Sequence, residues 1–371
     1  MADQEGRGIR CTPTRWRLIA SGVLLAACPL LVLLFERFGE ALSGGYRPFS
    51  KGLLSLQATV ASVAPFALWD FLVVGFALAA LFTLVRRVVR RRPLLPWLSV
   101  VLLVSSATLF LFVSGWALNH YALSLANEIG LEVGAYTDDE LVAATRHYLE
   151  RAAALAPSVP RGEDGELLRQ DFYELARIAG GSYRELSESY GIFEGSQAPV
   201  KALLLLGEPL LLSGHVGIFF SPTGESSVPV NCAVADLPFT MCHEAAHRLA
   251  IAREQEANFA AFLACTTSDD VRFSYSGYYS AFSFCYGALR RSDPDRAARL
   301  LDEVRTSGLD AGVGLVLADL VATGRHYDAY EGWFGRVGSA VNDGYLRSFG
   351  EREGVKSYGL VVDYLIAWDR R

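Results

Sequence analysis

The chain has 371 residues, 51% of them hydrophobic, and a mean hydropathy of +0.25. Residues 1–118 contain 12 Lys and Arg against 5 Asp and Glu, so residues 119–371 contain the remaining 22 (34 − 12) and 35 (40 − 5). Nucleic-acid binding depends on clustered Lys and Arg. Because the larger part of the chain is this acidic, we expect no nucleic-acid partner.

Three apolar runs occupy the first third of the sequence, at residues 16–35, 66–85 and 98–118. About twenty apolar residues in a helix are enough to cross roughly 30 Å of hydrocarbon. The sequence therefore predicts a membrane anchor, residues 1–118, with three transmembrane helices in a lipid bilayer. Residues 119–371 form the predicted second domain.

Arginine clusters indicate the orientation of the anchor. They lie in the N-terminal tail and between the second and third runs: Arg7, Arg10, Arg15, Arg17, and Arg86, Arg87, Arg90, Arg91, Arg92. Such clusters stay in the cytoplasm. We therefore expect a multi-pass protein of the bacterial cell membrane with a cytoplasmic N-terminus and residues 119–371 outside the cytoplasm. Asp70 then lies near the outer interface, where a carboxylate is tolerated.

The six cysteines form no CxxC pair, which argues against a disulfide framework, although one bridge among the last four stays open. The stretch that ends at Cys28, Leu-Ala-Ala-Cys, resembles a lipoprotein cleavage box. The apolar run continues for seven residues beyond it. We interpret these small residues as helix-packing residues, with lipidation of Cys28 as the alternative.

Helix signals dominate the second domain. Thr137 and Glu140 match a capping box ahead of an apolar-periodic stretch that ends at Ala156. Further helices are predicted at 166–178, 238–266, 295–306, 310–323 and 354–368, and a β-hairpin is predicted from runs 217–220 and 228–230 around Pro222-Thr223-Gly224.

The segment His243-Glu244-Ala245-Ala246-His247 carries the most specific chemistry in the chain. In a helix, His243 and His247 are one turn apart on the same face and can hold one zinc ion. Glu244 between them can act as general base toward a water molecule at the metal. The alternative interpretation is a helix with two structural histidines.

Two glutamates compete for the role of third ligand, Glu254 and Glu256. They lie about 200° apart on a helix, so only one can face the metal. Glu254 shares its face with Asn258, which could orient a ligating histidine, and we therefore favour Glu254. Cys242 is turned about 100° from His243 and is interpreted, like Cys265, as a core residue.

Candidates outside this motif are weaker. Tyr275, like Tyr278 and Tyr279, could stabilise a developing oxyanion, although core or rim positions are commoner for tyrosine. The isolated histidines are interpreted as structural: His120, His147, His215 and His326. The hairpin strand Gly-Ile-Phe-Phe could pair with an extended substrate.

The motif region PFTMCHEAAHRLAIAREQEANFAAFLAC resembles that of an uncharacterised bacterial membrane-protein family, domain of unknown function 3810. GIFFSPTGES and FSYSGYYSAF agree with it, and the resemblance covers about residues 15–368. It implies a metallopeptidase-like site, similar to zinc peptidases of the HExxH…ExxA[DN] type, in which the first Glu binds the metal. That Glu corresponds to Glu254, and Asn258 would support a ligand.

The chain departs from the family pattern in two places. Ala250 stands where a Gly commonly ends the motif helix, and a left-handed Ala costs about 1 kcal/mol or more. Ser226-Ser227-Val228-Pro229 replaces a common Ala-Asn-Val-Asn. The local turn and the substrate-side loop can therefore differ from those of relatives.

The sequence thus predicts three transmembrane helices followed by a mostly α-helical (α+β) zincin-like extracytoplasmic domain with a small hairpin or sheet. The predicted activity is zinc-dependent hydrolysis of extracytoplasmic protein or peptide substrates. The alternatives are a non-catalytic zinc-binding sensor or receptor, and a structural envelope protein. The oligomeric state does not follow from the sequence.

Overall fold

The protein is mostly helical, as the sequence predicts, and its computed structural model describes residues 13–349 and 360–371. The first helices are α1 (Pro13–Ala61), α2 (Leu68–Val89), α3 (Leu95–Gly115), α4 (Leu125–Ile129), α5 (Asp138–Leu155), α6 (Phe172–Gly181), α7 (Arg184–Ser189) and α8 (Gly207–Leu212). The later ones are α9 (Leu237–Arg248), α10 (Glu254–Thr266), α11 (Val271–Ser292), α12 (Pro294–Val304), α13 (Asp310–Asp328), α14 (Trp333–Ser348) and α15 (Val361–Asp369). The strands are β1 (Lys201–Leu203), β2 (Ile218–Phe220) and β3 (Glu225–Pro229).

Within residues 13–349 and 360–371, three helices are long and apolar enough to cross a membrane, namely α1, α2 and α3, and this confirms the three predicted apolar helices. Their bounds differ from the prediction by a few residues, except for α1, which continues far beyond residue 35. Arg7, Arg10 and Cys11, and residues 354–359 of the predicted last helix, lie outside the described residues.

The 49-residue α1 is not straight. The rings of Phe35 and Tyr46 have centroids 4.9 Å apart. Eleven residues of straight helix would separate their Cα atoms by about 16 Å, too far for the two rings to meet. The bend falls in a stretch with Gly44, Gly45 and Pro48, which weaken or remove helical hydrogen bonds. The second part of α1 therefore takes its own direction.

The sheet has the order β1-β3-β2. The antiparallel pair β2–β3 confirms the predicted hairpin, while β1, parallel to β3, was not predicted. Gly224 in the hairpin turn has φ +67°, and a Cβ there would come 2.6 Å from the Leu54 carbonyl oxygen and 2.8 Å from the Ala58 nitrogen of α1. The hairpin turn thus lies directly on the second part of α1, and glycine permits this approach.

The capping box is present, because Thr137 and Glu140 each bond the backbone of the other at the start of α5. The helix predicted at 166–178 is wrong over its first six residues, 166–171. Arg161 and Leu167 form an isolated bridge, and α6 begins after Asp171, whose side chain accepts from the Glu174 amide. The N-cap residue Asp171 determines where this helix begins, and the apolar periodicity of the sequence did not reveal that position.

The main core lies among α5, α9, α10 and α11. Cys242 and Cys265 are completely buried in it, and all five described cysteines are free. This confirms their interpretation as core residues.

Candidate metal centre

Helix α9 carries the histidine motif, and every one of its residues is buried. It ends in a tight turn at Ala250, which has φ 63°. The Ala250 amide donates to the His247 carbonyl at 3.0 Å and the Ile251 amide to the Ala246 carbonyl at 3.3 Å. The left-handed alanine anticipated from the sequence is therefore present, at a cost of roughly 1–2 kcal/mol. The turn reverses the chain so that α10 starts beside α9.

Three donor atoms converge where α10 meets α9. Nε2 of His243 lies 3.1 Å from Nε2 of His247. Oε2 of Glu254 lies 3.2 Å from the former and 3.7 Å from the latter. One ligand atom from each of the three side chains lies within 4.8 Å of the others, and all three side chains are at least largely buried.

The other ring nitrogens orient the two imidazoles. His247 Nδ1 lies 2.8 Å from the Ile251 carbonyl oxygen. A carbonyl can only accept, so this Nδ1 carries a proton, and in the neutral ring Nε2 is the nitrogen that keeps the lone pair. His243 Nδ1 lies 2.9 Å from Asn258 Oδ1, which gives the same tautomer. In their neutral forms the two rings thus point two lone pairs into one small space, which suits a cation: a metal ion or, without one, the proton that Glu254 favours on His247.

The carboxylate of Glu254 dominates the electrostatics of the cluster. Burial would raise its pKa, but His247 and His243 outweigh burial and lower the pKa well below its usual range. Burial lowers the pKa of His247, whereas Glu254 and then Glu244 raise it to about 9 in total. Glu254 is therefore ionised and available as an anionic oxygen ligand.

Glu244 sits beside the cluster against the sheet. Its backbone carbonyl accepts a hydrogen bond from Ser226 Oγ of β3 at 2.6 Å. A Cβ on Gly217, just before β2, would lie 2.8 Å from its Cγ and Cδ atoms. Burial raises the pKa of Glu244 to about 7, although His243 and His247 lower it, and Oε2 is buried without a hydrogen-bond partner. Such a carboxylate can exchange a proton near neutral pH.

Glu256 is directed elsewhere. Its Oε1 accepts from Arg253 Nη1 at 2.9 Å and from the Tyr364 hydroxyl at 3.2 Å. Of the two carboxylates that compete as third ligand, the structure brings Glu254 to the histidines and pairs Glu256 with a cation. Asn258 lies where a supporting residue is expected.

Tyr275 is engaged in a different buried group. Its hydroxyl donates to Asp319, which also forms a 2.7 Å ion pair with Arg161. Its predicted role toward an oxyanion stays a prediction. The described contacts of Tyr275 include none with the two histidines or Glu254.

The structure also brings to the cluster Trp116, which the sequence did not single out, and gives His215 surroundings in which the charge of Glu254 is felt. The Trp116 indole donates to the His247 carbonyl at 2.9 Å. His215, interpreted above as structural, is half-buried ahead of β2. Burial lowers its pKa, and Glu254 is close enough to raise it in part. Its Nδ1 lies 2.9 Å from Ser213 Oγ. The sequence signal for His215 is only its place two residues before Gly217.

A family model described as "Protein of unknown function (DUF3810)" matches residues 46–366. The chain belongs to this family. Comparison with curated proteins and with solved structures found no match. The match includes residues 46–61 of α1, the whole histidine motif and α15 as far as residue 366.

Proposed function

We propose that this member of the family is a membrane-anchored, zinc-dependent peptidase with a zincin-like extracytoplasmic domain. The observation that carries the proposal is the convergence of the two Nε2 atoms of His243 and His247 and a carboxylate oxygen of Glu254 next to a buried, partnerless oxygen of Glu244. Two His and one Glu are a donor set found in catalytic zinc sites, which keep one position open.

The residues present fit a zinc ion. His243, His247 and Glu254 would hold it, with Asn258 and the Ile251 carbonyl orienting the imidazoles. A bound zinc ion supplies Lewis-acid polarisation of a carbonyl group and of water. A structural zinc site would usually offer four protein ligands, and the described cluster offers three.

The remaining groups have roles in peptide hydrolysis. Glu244 takes a proton from the attacking water molecule while the water oxygen bonds to the scissile carbonyl carbon. Glu244 then passes that proton to the leaving amine as the C–N bond breaks. The outer edge of β2 has no strand partner among the described residues, so an extended peptide can pair there. His215, whose pKa responds to the charge of Glu254, is our candidate donor to the oxyanion.

Geometry and charge together support our proposal that the domain lies outside the cytoplasm. Asp70, at the start of α2, accepts from the amides of Leu204, Leu205 and Leu206. Trp116, after α3, contacts α9. The two span ends therefore face the domain, and the opposite ends carry the Arg86–Arg92 cluster. Arginine clusters stay cytoplasmic, which leaves the domain outside, among envelope proteins and secreted peptides.

The test compares two variants of the full chain in lipid nanodiscs with a mixed peptide library read by mass spectrometry. Glu244→Gln should keep zinc but lose about 10²–10⁴-fold in cleavage rate, because only the proton acceptor is gone. His243→Ala should lose both zinc and activity. A wild-type chain that binds zinc stoichiometrically and cleaves nothing would favour the sensor alternative. Full activity in Glu244→Gln would refute the mechanism.

A further inference from the structure

The second part of α1, residues 46–61, is an amphipathic helix with an unusual division of its faces. Its buried face includes Ser50, Leu54 and Ala58, which lie against α3 and the hairpin turn. The opposite stripe, continued into the following turn, is apolar and exposed: Phe49 at 60%, Leu56 at 64%, Val60 at 65% and Val63 at 82%. Around the helix axis, residues 49, 56 and 60 lie within an arc of about 40°.

The charged residues of this segment do not lie on that stripe. Arg47 donates to Glu128 at 2.6 Å and to the Leu123 carbonyl at 2.7 Å. Lys51 donates to the Ile192 carbonyl at 2.5 Å. Both cations therefore bind the domain, and the opposite face stays apolar. A helix exposed to water would show the reverse arrangement.

Both ends of the segment coincide with ends of membrane spans. Tyr46 contacts Phe35, the last residue of the first apolar run. Residue 61 is followed, after a short turn, by the start of α2 at Leu68. The segment is about 24 Å long, and a helix whose two ends are both at the membrane surface must run along it.

The β2–β3 hairpin, which lies beside Glu244 of the candidate site, packs against the other side of this helix. The β2–β3 turn approaches the backbone of Leu54 and Ala58, and Gln57 donates to the Pro222 carbonyl at 3.1 Å. The ring of Phe220 in β2 stacks on Trp69 at the start of α2, with centroids 4.8 Å apart. One helix diameter, about 10 Å, thus separates the sheet from the exposed stripe.

We infer that Phe49, Leu56, Val60 and Val63 lie in the lipid interface, so that the site opens at the bilayer surface and acts on polypeptides anchored in that bilayer. The part about the substrate rests on the proposed peptidase function. An amphipathic helix between two spans, with its apolar face in the headgroup boundary, accounts for the exposed stripe. Leu204 and Leu205, 47% and 45% exposed beside Asp70, extend this lipid-facing surface.

The placement is tested without any activity. A photo-crosslinking amino acid at Leu56 or Val60, in the full chain in nanodiscs, should form lipid adducts. The matched control is Asp302, whose side chain is 80% exposed on α12, a helix that packs on α5 and α11. Adducts at 56 and 60 but not at 302 support the inference. Equal lipid labelling at all three positions, or none at 56 and 60, overturns it.

The substrate class is tested with a polypeptide that is anchored in the bilayer by a transmembrane span of its own. One cleavable sequence is repeated along it at increasing distances from that span, and stiff helical spacers separate the repeats. The repeat nearest the bilayer should be cut at least about tenfold faster than the most distant one, since its effective concentration at the site is higher. Uniform cutting, or preference for the distant repeat, overturns the substrate assignment while the peptidase survives. If neither the repeats nor soluble peptides are cut, the result counts against the proposed function itself. The lipid labelling still decides the placement of the helix in that case.

Discussion

Gly217 leaves the space that the Glu244 side chain occupies, because a Cβ at residue 217 would come 2.8 Å from Glu244 Cγ and Cδ. Gly217→Ala should therefore displace the carboxylate without touching the three ligands. We expect zinc binding close to that of the wild type and about a 10²-fold loss of cleavage rate, as for other small misplacements of catalytic groups. Gly181→Ala, where nothing lies within 4 Å, is the matched control and should keep full activity. Unchanged activity in Gly217→Ala would contradict the requirement for this position of the Glu244 carboxylate.

The two candidate third ligands can be separated by isosteric changes. Glu254→Gln removes the ionised oxygen beside His243 and His247, so the bound zinc should fall from about one ion per chain to a small fraction. Glu256→Gln weakens the pair with Arg253 and should lower stability, but it should keep zinc. Metal content by mass spectrometry of the folded variants decides between them. Loss of zinc in Glu256→Gln alone would contradict the ligand set.

Ala250→Gly should stabilise the protein. Removing the left-handed alanine gains roughly 1–2 kcal/mol, and the greater freedom of glycine in the unfolded chain takes back about 0.5–1 kcal/mol. We expect a net gain of roughly 0.5–1 kcal/mol in the free energy of unfolding by denaturant titration. The same change at Ala154, exposed within α5, should instead lower stability by about 1 kcal/mol. A loss at both positions would argue against the strained turn.

Tyr275→Phe and His215→Ala separate two candidates for stabilising the oxyanion. The Tyr275 hydroxyl is bound to Asp319, so Tyr275→Phe should cost about 1 kcal/mol of stability and leave the cleavage rate nearly unchanged. His215→Ala should keep zinc and lower kcat by about 10²-fold or more. The reverse result, a catalytic loss in Tyr275→Phe alone, would restore the role predicted for Tyr275 from the sequence.

Asp236, just before α9, provides a pH-dependent prediction. Burial raises its pKa to about 6, although a hydrogen bond from Tyr327 lowers it. Between about pH 4 and pH 6, the Asp236 carboxyl is therefore protonated in the native state but ionised in the unfolded state. Because the unfolded state binds fewer protons, the free energy of unfolding falls as the pH rises through this window. Asp236→Asn should therefore stabilise the protein above pH 6, by at most about 3 kcal/mol, and not below about pH 4. Asp302→Asn, at an exposed carboxylate, should show no such difference. A pH-independent effect in Asp236→Asn would show that this carboxyl titrates normally.

The sequence by itself determined the local features of this protein. Length and hydropathy are enough to define the three apolar helices, because a span depends only on consecutive residues. The capping box at Thr137 and Glu140, the hairpin around Gly224 and the single face of His243 and His247 also depend on neighbours within a few positions. The preference for Glu254 over Glu256 followed from helix periodicity; the structure places Glu254 beside His243 and His247, and its role as a ligand stays a prediction.

Only the tertiary structure decided how these parts meet. The bend of α1, strand β1, the space at Gly217 and the contact of Trp116 with His247 join residues that are far apart in the chain, and no local pattern records such distances. The exposed stripe of α1 became informative once Arg47 and Lys51 were seen to bind the domain. Periodicity shows which residues share a face, whereas the packing of distant segments determines what that face meets.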